Sequence, residues 1–96
     1  MFKQEKKWET TFPRVGWAEQ NPNDWWDAIT DIFSSATSVL GNHIIRKIIA
    51  CCVCATSSTV FPVNNDGVPI KNAMMWMDAR SRKEMDQINK SGHPAL

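Results

Sequence analysis

Long hydrophobic runs are missing from this chain of 96 residues. The longest apolar stretch covers residues 48–55, whereas a membrane-spanning helix needs about 20 consecutive apolar residues. The charged residues 1–7 are not followed by the apolar segment of a secretory signal peptide. The sequence therefore predicts a cytoplasmic location and no membrane partner.

Charge of one sign is equally scarce. Eleven Lys and Arg residues are matched by ten Asp and Glu residues, which leaves a net charge of +1 at pH 7. Nucleic-acid-binding domains usually carry a basic patch, so the sequence predicts no nucleic-acid partner. With 43% hydrophobic and 22% charged residues, the composition is that of a globular protein, and the length predicts a single domain over residues 1–96.

Glycine is sparse and scattered, because its four residues stand at positions 16, 41, 67 and 92. Enzymes that bind nucleotides usually hold phosphate with the clustered backbone amides of a glycine-rich loop. The sequence shows no such cluster, and neither histidine has a recognisable metal-ligand spacing or a nucleophile beside it. We therefore predict no catalytic, cofactor-binding or metal-binding residue in this chain.

Cysteine is limited to three residues crowded into four positions, Cys51, Cys52 and Cys54. Neighbours this close on an extended chain do not reach ordinary disulfide geometry without distortion. Because they stand in an apolar run, we expect them to be buried and reduced, as small apolar residues. A metal site is the weaker alternative, since zinc needs four ligands at suitable spacing.

Tyrosine is absent, whereas tryptophan occurs five times. Three of the tryptophans fall within residues 17–26, which is a large aromatic content for so short a stretch. One interpretation is a loop fixed to the core by Trp17 and Trp25. The alternative is that Trp17 or Glu19 lines a ligand cleft.

Helical periodicity predicts a first helix over residues 22–38. Asn21 is a suitable N-cap, Pro22 suits the first helical position, and Gly41 provides a stop. The apolar residues that recur at helical spacing on one face are Trp25, Ile29, Ile32, Phe33 and Ala36.

Strand patterns follow this helix. Residues 44–55 begin with a short turn and become a continuous apolar run, which predicts a strand buried on both faces of a sheet. Residues 60–63 predict another strand, at an edge or with a bulge because Pro62 has no N–H to donate. Residues 64–67 (Asn-Asn-Asp-Gly) predict a tight turn.

A second helix is predicted over residues 79–90, with Asp78 as its N-cap. The order of helix, buried strand, hairpin and helix predicts an α/β fold, in which a mixed sheet carries helices on its faces. Two or three strands leave such a sheet with unpaired edges.

Small polar residues at positions 54–59 follow the predicted buried strand. In open α/β sheets, ligands bind beyond the carboxyl ends of the strands. The hydroxyls of Ser57 and Ser58 could therefore bond a polar substrate, or could simply satisfy the backbone at the end of the strand.

Residues 75–80 are a further candidate. The indole of Trp76 offers a flat apolar face for the C–H side of a sugar and one N–H donor for a hydroxyl. Asp78 could accept hydrogen bonds from substrate hydroxyls, and its role as a helix cap is the alternative.

Four motifs in this order resemble the FGGY family of carbohydrate kinases, and the match covers about residues 7–90. The motifs are Gly16-Trp17-Ala18-Glu19-Gln20 running into Asp24-Trp25-Trp26, Ala55-Thr56-Ser57-Ser58, Asp66-Gly67-Val68-Pro69, and Ala73-Met74-Met75-Trp76-Met77-Asp78-Ala79-Arg80. The resemblance implies part of the N-terminal, sugar-binding domain of an ATP-dependent sugar kinase, with an incomplete ribonuclease-H-like (actin-like) fold.

The resemblance also implies which residues contact substrate. Trp76 matches a family tryptophan that packs against the bound sugar. Ser57 and Ser58 stand where xylulokinases carry a Met-His pair, a departure that favours ribulokinase-like or uncharacterised members. Asp78 and Arg80 match the family signature. The predicted substrate-binding residues are therefore Trp76, Ser57, Ser58 and Asp78.

Members of the family are several times longer than this chain. The Asp-x-Gly-Thr phosphate-binding turn, the aspartate that acts as base and the ATP-binding domain of the family are not found among these residues. We therefore expect a fragment that is inactive alone, whereas the complete enzyme would use ATP and magnesium to phosphorylate a ketopentose or related polyol. The alternative is a non-catalytic interaction module that self-associates through an exposed sheet edge.

Overall fold

A computed structural model describes residues 2–92 of the chain. In chain order, its elements are strand β1 (Glu19–Gln20), helix α1 (Pro22–Leu40), the short helix α2 (Asn42–Ile45), strand β2 (Ala73–Met74) and helix α3 (Arg82–Lys90). No helix in this part of the chain is both long enough and apolar enough to span a bilayer.

Helix α1 begins where the sequence predicts. The side chain of Asn21 accepts a hydrogen bond from the backbone N–H of Asn23 at 3.1 Å, and Pro22 occupies the first turn. The helix ends at Leu40, two residues beyond the prediction, where Gly41 has a φ of 74° and donates its N–H to the carbonyl of Thr37. Glycine adopts such a left-handed φ at little cost, which is why the helix stops there.

Four chain segments pair side by side, and every pairing between them is antiparallel. Glu19 of β1 pairs with Met74 of β2 at the centre. Thr11 pairs with Glu19 along the other edge of β1, and Val60 pairs with Met74 along the other edge of β2. The prediction of a mixed sheet is therefore not what residues 2–92 show. A parallel pairing would need the predicted strand at residues 44–55, which does not form.

The hairpin between Val60 and Met74 follows the sequence closely. The side chain of Asn64 accepts hydrogen bonds from the N–H groups of Asp66 and Val68, which closes the predicted turn. Beside Pro62 the register of the hairpin shifts by two residues, because Val63 pairs with Pro69 while Val60 pairs with Met74. The irregularity expected from a proline in this strand is thus present.

The side chain of Gln20 ties the first residues of the chain to helix α1. Its carbonyl oxygen accepts the indole N–H of Trp8 at 3.0 Å and that of Trp25 at 2.9 Å, and its amide nitrogen donates to the hydroxyl of Thr10 at 2.7 Å. The Trp25 ring also meets Phe61 edge-on, with centroids 5.7 Å apart. Trp25 therefore contacts Gln20 and Phe61, neither of which belongs to the buried core, and Trp8 gains a structural role.

The prediction of a buried strand at residues 44–55 is wrong. Its first residues belong to α2 and the turn after it, and residues 49–59 make no backbone hydrogen bond with any other described residue. Ile49 is 99% exposed, and Cys51, Cys52 and Cys54 are exposed free thiols instead of buried ones. An apolar run is buried only when other segments supply pairing partners, and none of the described segments does so.

Helix α3 begins three residues later than predicted. Its N-cap is Ser81, which makes no side-chain capping bond, so the prediction that Asp78 caps this helix is also wrong. The reason is that the Asp78 carboxylate binds the backbone of Ala18 and the side chain of Arg80 instead.

The core is small, since among residues 2–92 only five hydrophobic residues are buried: Ala18, Ala28, Ala36, Ala73 and Met75. The accessible surface is 8330 Å², whereas a folded monomer of 10.9 kDa exposes about 5,600 Å². The radius of gyration is 18.7 Å, against about 12–13 Å for a compact domain of this length. Much apolar surface is therefore left uncovered, most of all along residues 48–56.

Candidate functional site

Trp76 stands at the corner of a tight turn. The backbone N–H of Asp78 donates to the carbonyl of Met75 at 2.9 Å, so Trp76 and Met77 are the two central residues of a β-turn. Met75 is buried, but Trp76 is 59% exposed. The turn thus begins at the buried Met75 and exposes the large apolar ring of Trp76 to solvent.

Both flanks of this turn are hydrogen-bonded to residues 16–18. The N–H of Met75 donates to the carbonyl of Ala18 at 3.0 Å, and the N–H of Ala79 donates to the carbonyl of Gly16 at 2.7 Å. A Cβ on Gly16 would lie 3.6 Å from that of Ala79, and the φ of Gly16 is +79°. Glycine suits this position because a turn with positive φ brings the two backbones together here.

The Asp78 carboxylate lies at the centre of these contacts, with its side chain only 5% exposed. Its Oδ2 accepts from the N–H of Ala18 at 2.8 Å and from Arg80 Nη2 at 2.7 Å. Its Oδ1 accepts from the backbone N–H of Arg80 at 3.0 Å and from Arg80 Nε at 2.8 Å. A carboxylate offers about four acceptor positions, and protein donors use them all.

Electrostatics follow from this geometry. The Arg80 guanidinium, together with the two backbone N–H groups, holds the pKa of Asp78 well below its ordinary value, and burial opposes this effect. Hydrogen bonds to Asp78 and Glu19 raise the pKa of Arg80 in turn. Asp78 is therefore a fixed negative charge and not a group that exchanges protons near neutral pH.

Arg80 also joins the turn to strand β1 and to Trp17. Its Nη2 donates to Oε1 of Glu19 at 2.7 Å, and its Cζ lies 3.8 Å from the centroid of the Trp17 ring, within cation–π range. Asn72 donates to the other oxygen of Glu19 at 3.2 Å. The hydrogen bonds from Arg80 and Asn72 lower the pKa of Glu19.

Trp17 and Glu19 line an open surface cleft. The cleft has a volume of about 650 Å³, and its wall is formed by Trp17, Glu19, Pro62, Lys71, Asn72, Met74 and Arg80. Trp76, Ser57 and Ser58 are not among its lining residues. The structure therefore does not place all the predicted site residues in one cavity.

Ser57 and Ser58 are exposed, and they lie within residues 49–59, which make no backbone hydrogen bond with another described residue. Ser58 has a φ of 64°, which is unusual for a residue other than glycine. The neighbouring Thr59 hydroxyl is buried without a hydrogen-bond partner.

Within residues 2–92, neither the start of α1 nor any cluster of acidic, His or Cys side chains has the character of a phosphate or metal site. The first turn of α1 carries Asp24, whose charge disfavours a phosphate at that helix end, and Asn21 already caps the turn. Across residues 2–92, no group of three or more His, Cys, Asp or Glu side chains is arranged to hold a metal ion.

The ion pair between Arg80 and Glu19 is the feature that sequence reasoning missed. The two residues are 61 positions apart, so no local spacing connects them. The available signal was that each belongs to one of the motifs of the family resemblance and that their charges are opposite.

The comparison with known proteins agrees with this arrangement of motifs. Residues 1–95 match the FGGY family of carbohydrate kinases, N-terminal domain. The chain belongs to the FGGY family of carbohydrate kinases. The predicted family resemblance is thereby confirmed.

Curated relatives of this chain include three bacterial glycerol kinases. That of Borrelia duttonii is 27% identical over 88 residues, that of Beutenbergia cavernae is 29% identical over 90, and that of Borreliella burgdorferi is 30% identical over 91. These alignments cover 91–92% of this chain and 17–18% of the relatives, so the chain spans less than a fifth of their length. No solved structure gives a significant match. Relatives named as kinases give no support to the alternative of a self-associating module.

Proposed function

We propose that this chain contributes the acceptor-binding side of an ATP-dependent kinase that phosphorylates a hydroxyl of a small polyol or sugar. One observation carries the proposal within this family: the exposed Trp76 stands on a turn whose two flanks are bonded to residues 16–18. An indole face packs against the C–H side of a polyol, and its N–H donates to a hydroxyl.

The acceptor contacts are assigned to Trp76, Ser57 and Ser58. The serine hydroxyls both donate and accept hydrogen bonds, as recognition of a polyol requires. Asp78 was predicted to contact substrate as well, but its acceptor positions are used by Ala18 and Arg80. Its part in the site is to hold the turn.

Glycerol is the first acceptor to test, because the relatives are named as glycerol kinases. The ketopentose that the sequence suggests is the second. Both offer several vicinal hydroxyls and a carbon face to an indole, so the same contacts serve either ligand.

In this proposal the described residues do not hold ATP or magnesium, because their side chains do not form a site that suits either ligand. Phosphoryl transfer depends on positioning and on neutralising charge around the transferred group, and the complete enzyme would supply both. We therefore expect no phosphorylation of glycerol or of a ketopentose by the 96-residue chain with ATP and magnesium.

Residues 1–96 are also proposed to be part of one ribonuclease-H-like domain. The support is the apolar run at residues 48–55, which has the composition of a strand buried on both faces but is exposed and unpaired among the described residues. In a larger sheet these residues would pair and become buried, together with the three cysteines.

A titration of the chain with glycerol and with ribulose tests the proposal. Labelling with 5-fluorotryptophan gives one fluorine NMR resonance for each of the five tryptophans, and single Trp-to-Phe variants assign them. We expect millimolar ligand to shift the Trp76 resonance selectively. The variant Trp76→Ala should lose binding. The matched control is Trp26→Ala, since Trp26 is 68% exposed on α1 outside the turn. An unmoved Trp76 resonance with both ligands, or equal loss of binding in the control, would contradict the proposal.

A further inference from the structure

We infer that Arg80 is a positioning residue for Trp76: through Asp78 and Glu19, it fixes the orientation in which the turn presents the indole. This inference rests on the proposed function for the part that Trp76 plays toward a polyol. The orientation of the turn itself can be tested without any ligand.

The first step of the argument is the number of elements that Arg80 joins. Its guanidinium binds Asp78 at the end of the turn, binds Glu19 in β1, and lies over the ring of Trp17. Asp78 in turn holds the backbone of Ala18. The Arg80 side chain therefore connects the turn directly to Trp17 and Glu19, and through Asp78 to Ala18.

The second step is that Asp78 supplies the side-chain tie of residues 75–79 among the described contacts. Trp76 and Met77 are exposed, and no other ion pair among the described residues reaches residues 75–79. Backbone hydrogen bonds close the turn between Met75 and Asp78 and hold its flanks at Met75 and Ala79. The Asp78 side chain adds a further tie, because it crosses from the end of the turn to the N–H of Ala18.

The third step is that the geometry requires arginine. The planar guanidinium supplies Nε and Nη2 to the two oxygens of Asp78 as a fork, while Nη2 also reaches Glu19. A lysine ammonium would keep the charge, but it lacks the fork and the flat face over Trp17. Arg80→Lys therefore keeps the positive charge but removes the contacts that fix the orientation of the turn.

The experiment compares the fluorine resonances of the labelled wild-type chain with those of Arg80→Lys, first without ligand. We expect the Trp76 resonance to move toward its position in the urea-unfolded chain, while the Trp25 resonance, which reports the contact with Phe61, stays in place. With glycerol or ribulose, the dissociation constant should rise about tenfold, as expected for a lost set of polar contacts. The matched control is Arg82→Lys, since Arg82 makes no ion pair with any other described residue.

If the Arg80→Lys chain loses every folded resonance, Asp78→Asn takes its place. This variant keeps one oxygen for the N–H of Ala18, but it turns an amide NH2, a donor, toward the Nε–H and backbone N–H of Arg80, so it breaks the fork and leaves the bond to Ala18. A Trp76 resonance that stays unchanged in whichever variant is read would overturn the inference. So would loss of all five folded resonances in both variants, because the pair would then serve the whole fold. A wild-type Trp76 resonance that does not respond to polyol overturns the proposed function instead, and leaves the ligand-free comparison standing as the test of Arg80.

Discussion

Two regions of this chain, the anchored turn (residues 75–80 with residues 16–19) and the apolar segment (residues 48–56), differ in how their backbone is satisfied. The anchored turn contains the charged residues Glu19, Asp78 and Arg80, and hydrogen bonds and two ion pairs between them hold it in place. The apolar segment is the most hydrophobic part of the chain, yet it is exposed. Hydrophobicity alone therefore does not decide which segment is buried, because a segment also needs partners for its backbone.

The largest expected effect is at Asp78. Replacement by Ala leaves the N–H of Ala18 without its partner and removes one carboxylate from Arg80 in a nearly buried site. We expect the free energy of unfolding to fall by about 3 kcal/mol, within the range for breaking a buried pair from one side. Urea denaturation followed by circular dichroism measures this. A loss as small as that of a surface substitution would mean that the anchored turn does not stabilise the fold.

Acid should weaken the anchored turn next most strongly. Because the folded-state pKa of Asp78 lies below its ordinary value of 3.8, its ion pair stabilises the fold fully above that value. The stability is lost as the pH falls through the lower, folded-state pKa, and Glu19 acts in the same direction. Stability measured from pH 6 downward should therefore decline below about pH 4 in the wild type, and Asp78→Asn should flatten the decline. Equal slopes for both proteins would contradict this assignment.

The thiols test the opposite region. Because Cys51, Cys52 and Cys54 are exposed, all three should react with a maleimide in the native chain within about twofold of the rate in urea. Mass spectrometry counts the labelled thiols over time. Slow labelling that becomes fast only in urea would show that the apolar segment is covered in solution.

The smallest effect is expected at Ile49. Replacement by Lys places a charge where the native side chain is already 99% exposed, so the free energy of unfolding should change by no more than about 0.5 kcal/mol. The same urea titration measures it, and Ala73→Lys in the buried part of β2 is the matched control with a large loss. A loss at Ile49 as large as that at Ala73 would abolish the contrast between the two regions.

The sequence predicted those parts of the fold that depend on neighbouring residues. Asn21 and Pro22 start α1, Gly41 ends it, and the side chain of Asn64 closes its turn, all through contacts within four residues. The buried strand failed for the complementary reason, since burial depends on partners elsewhere in the chain. A strand pattern shows that a segment can form a strand when neighbouring segments bury it. It does not show whether those neighbouring segments are present.

The candidate site divides in the same way. Trp76 could be singled out from its residue type and motif, and its exposure agrees with a surface role. The hydrogen bond between Asp78 and Ala18 could not be predicted, because the two residues are 60 positions apart in the chain. The local sequence indicated that Asp78 caps a helix. Opposite charges in separate motifs were the only trace of the pair between Glu19 and Arg80.

The distance along the chain between Ala18 and Asp78 has a consequence for the order of folding. Helix α1 needs only its own 19 residues and can form within microseconds of their synthesis. The anchored turn must first close a loop of 60 residues, and that entropy is lost before any of its hydrogen bonds is gained. On a ribosome adding about 5–20 residues per second, α1 would wait several seconds for Arg80 to emerge. During that interval Glu19 lacks its ion pair with Arg80 and Trp17 lacks the Arg80 guanidinium over its ring, so the turn that presents Trp76 takes shape after α1.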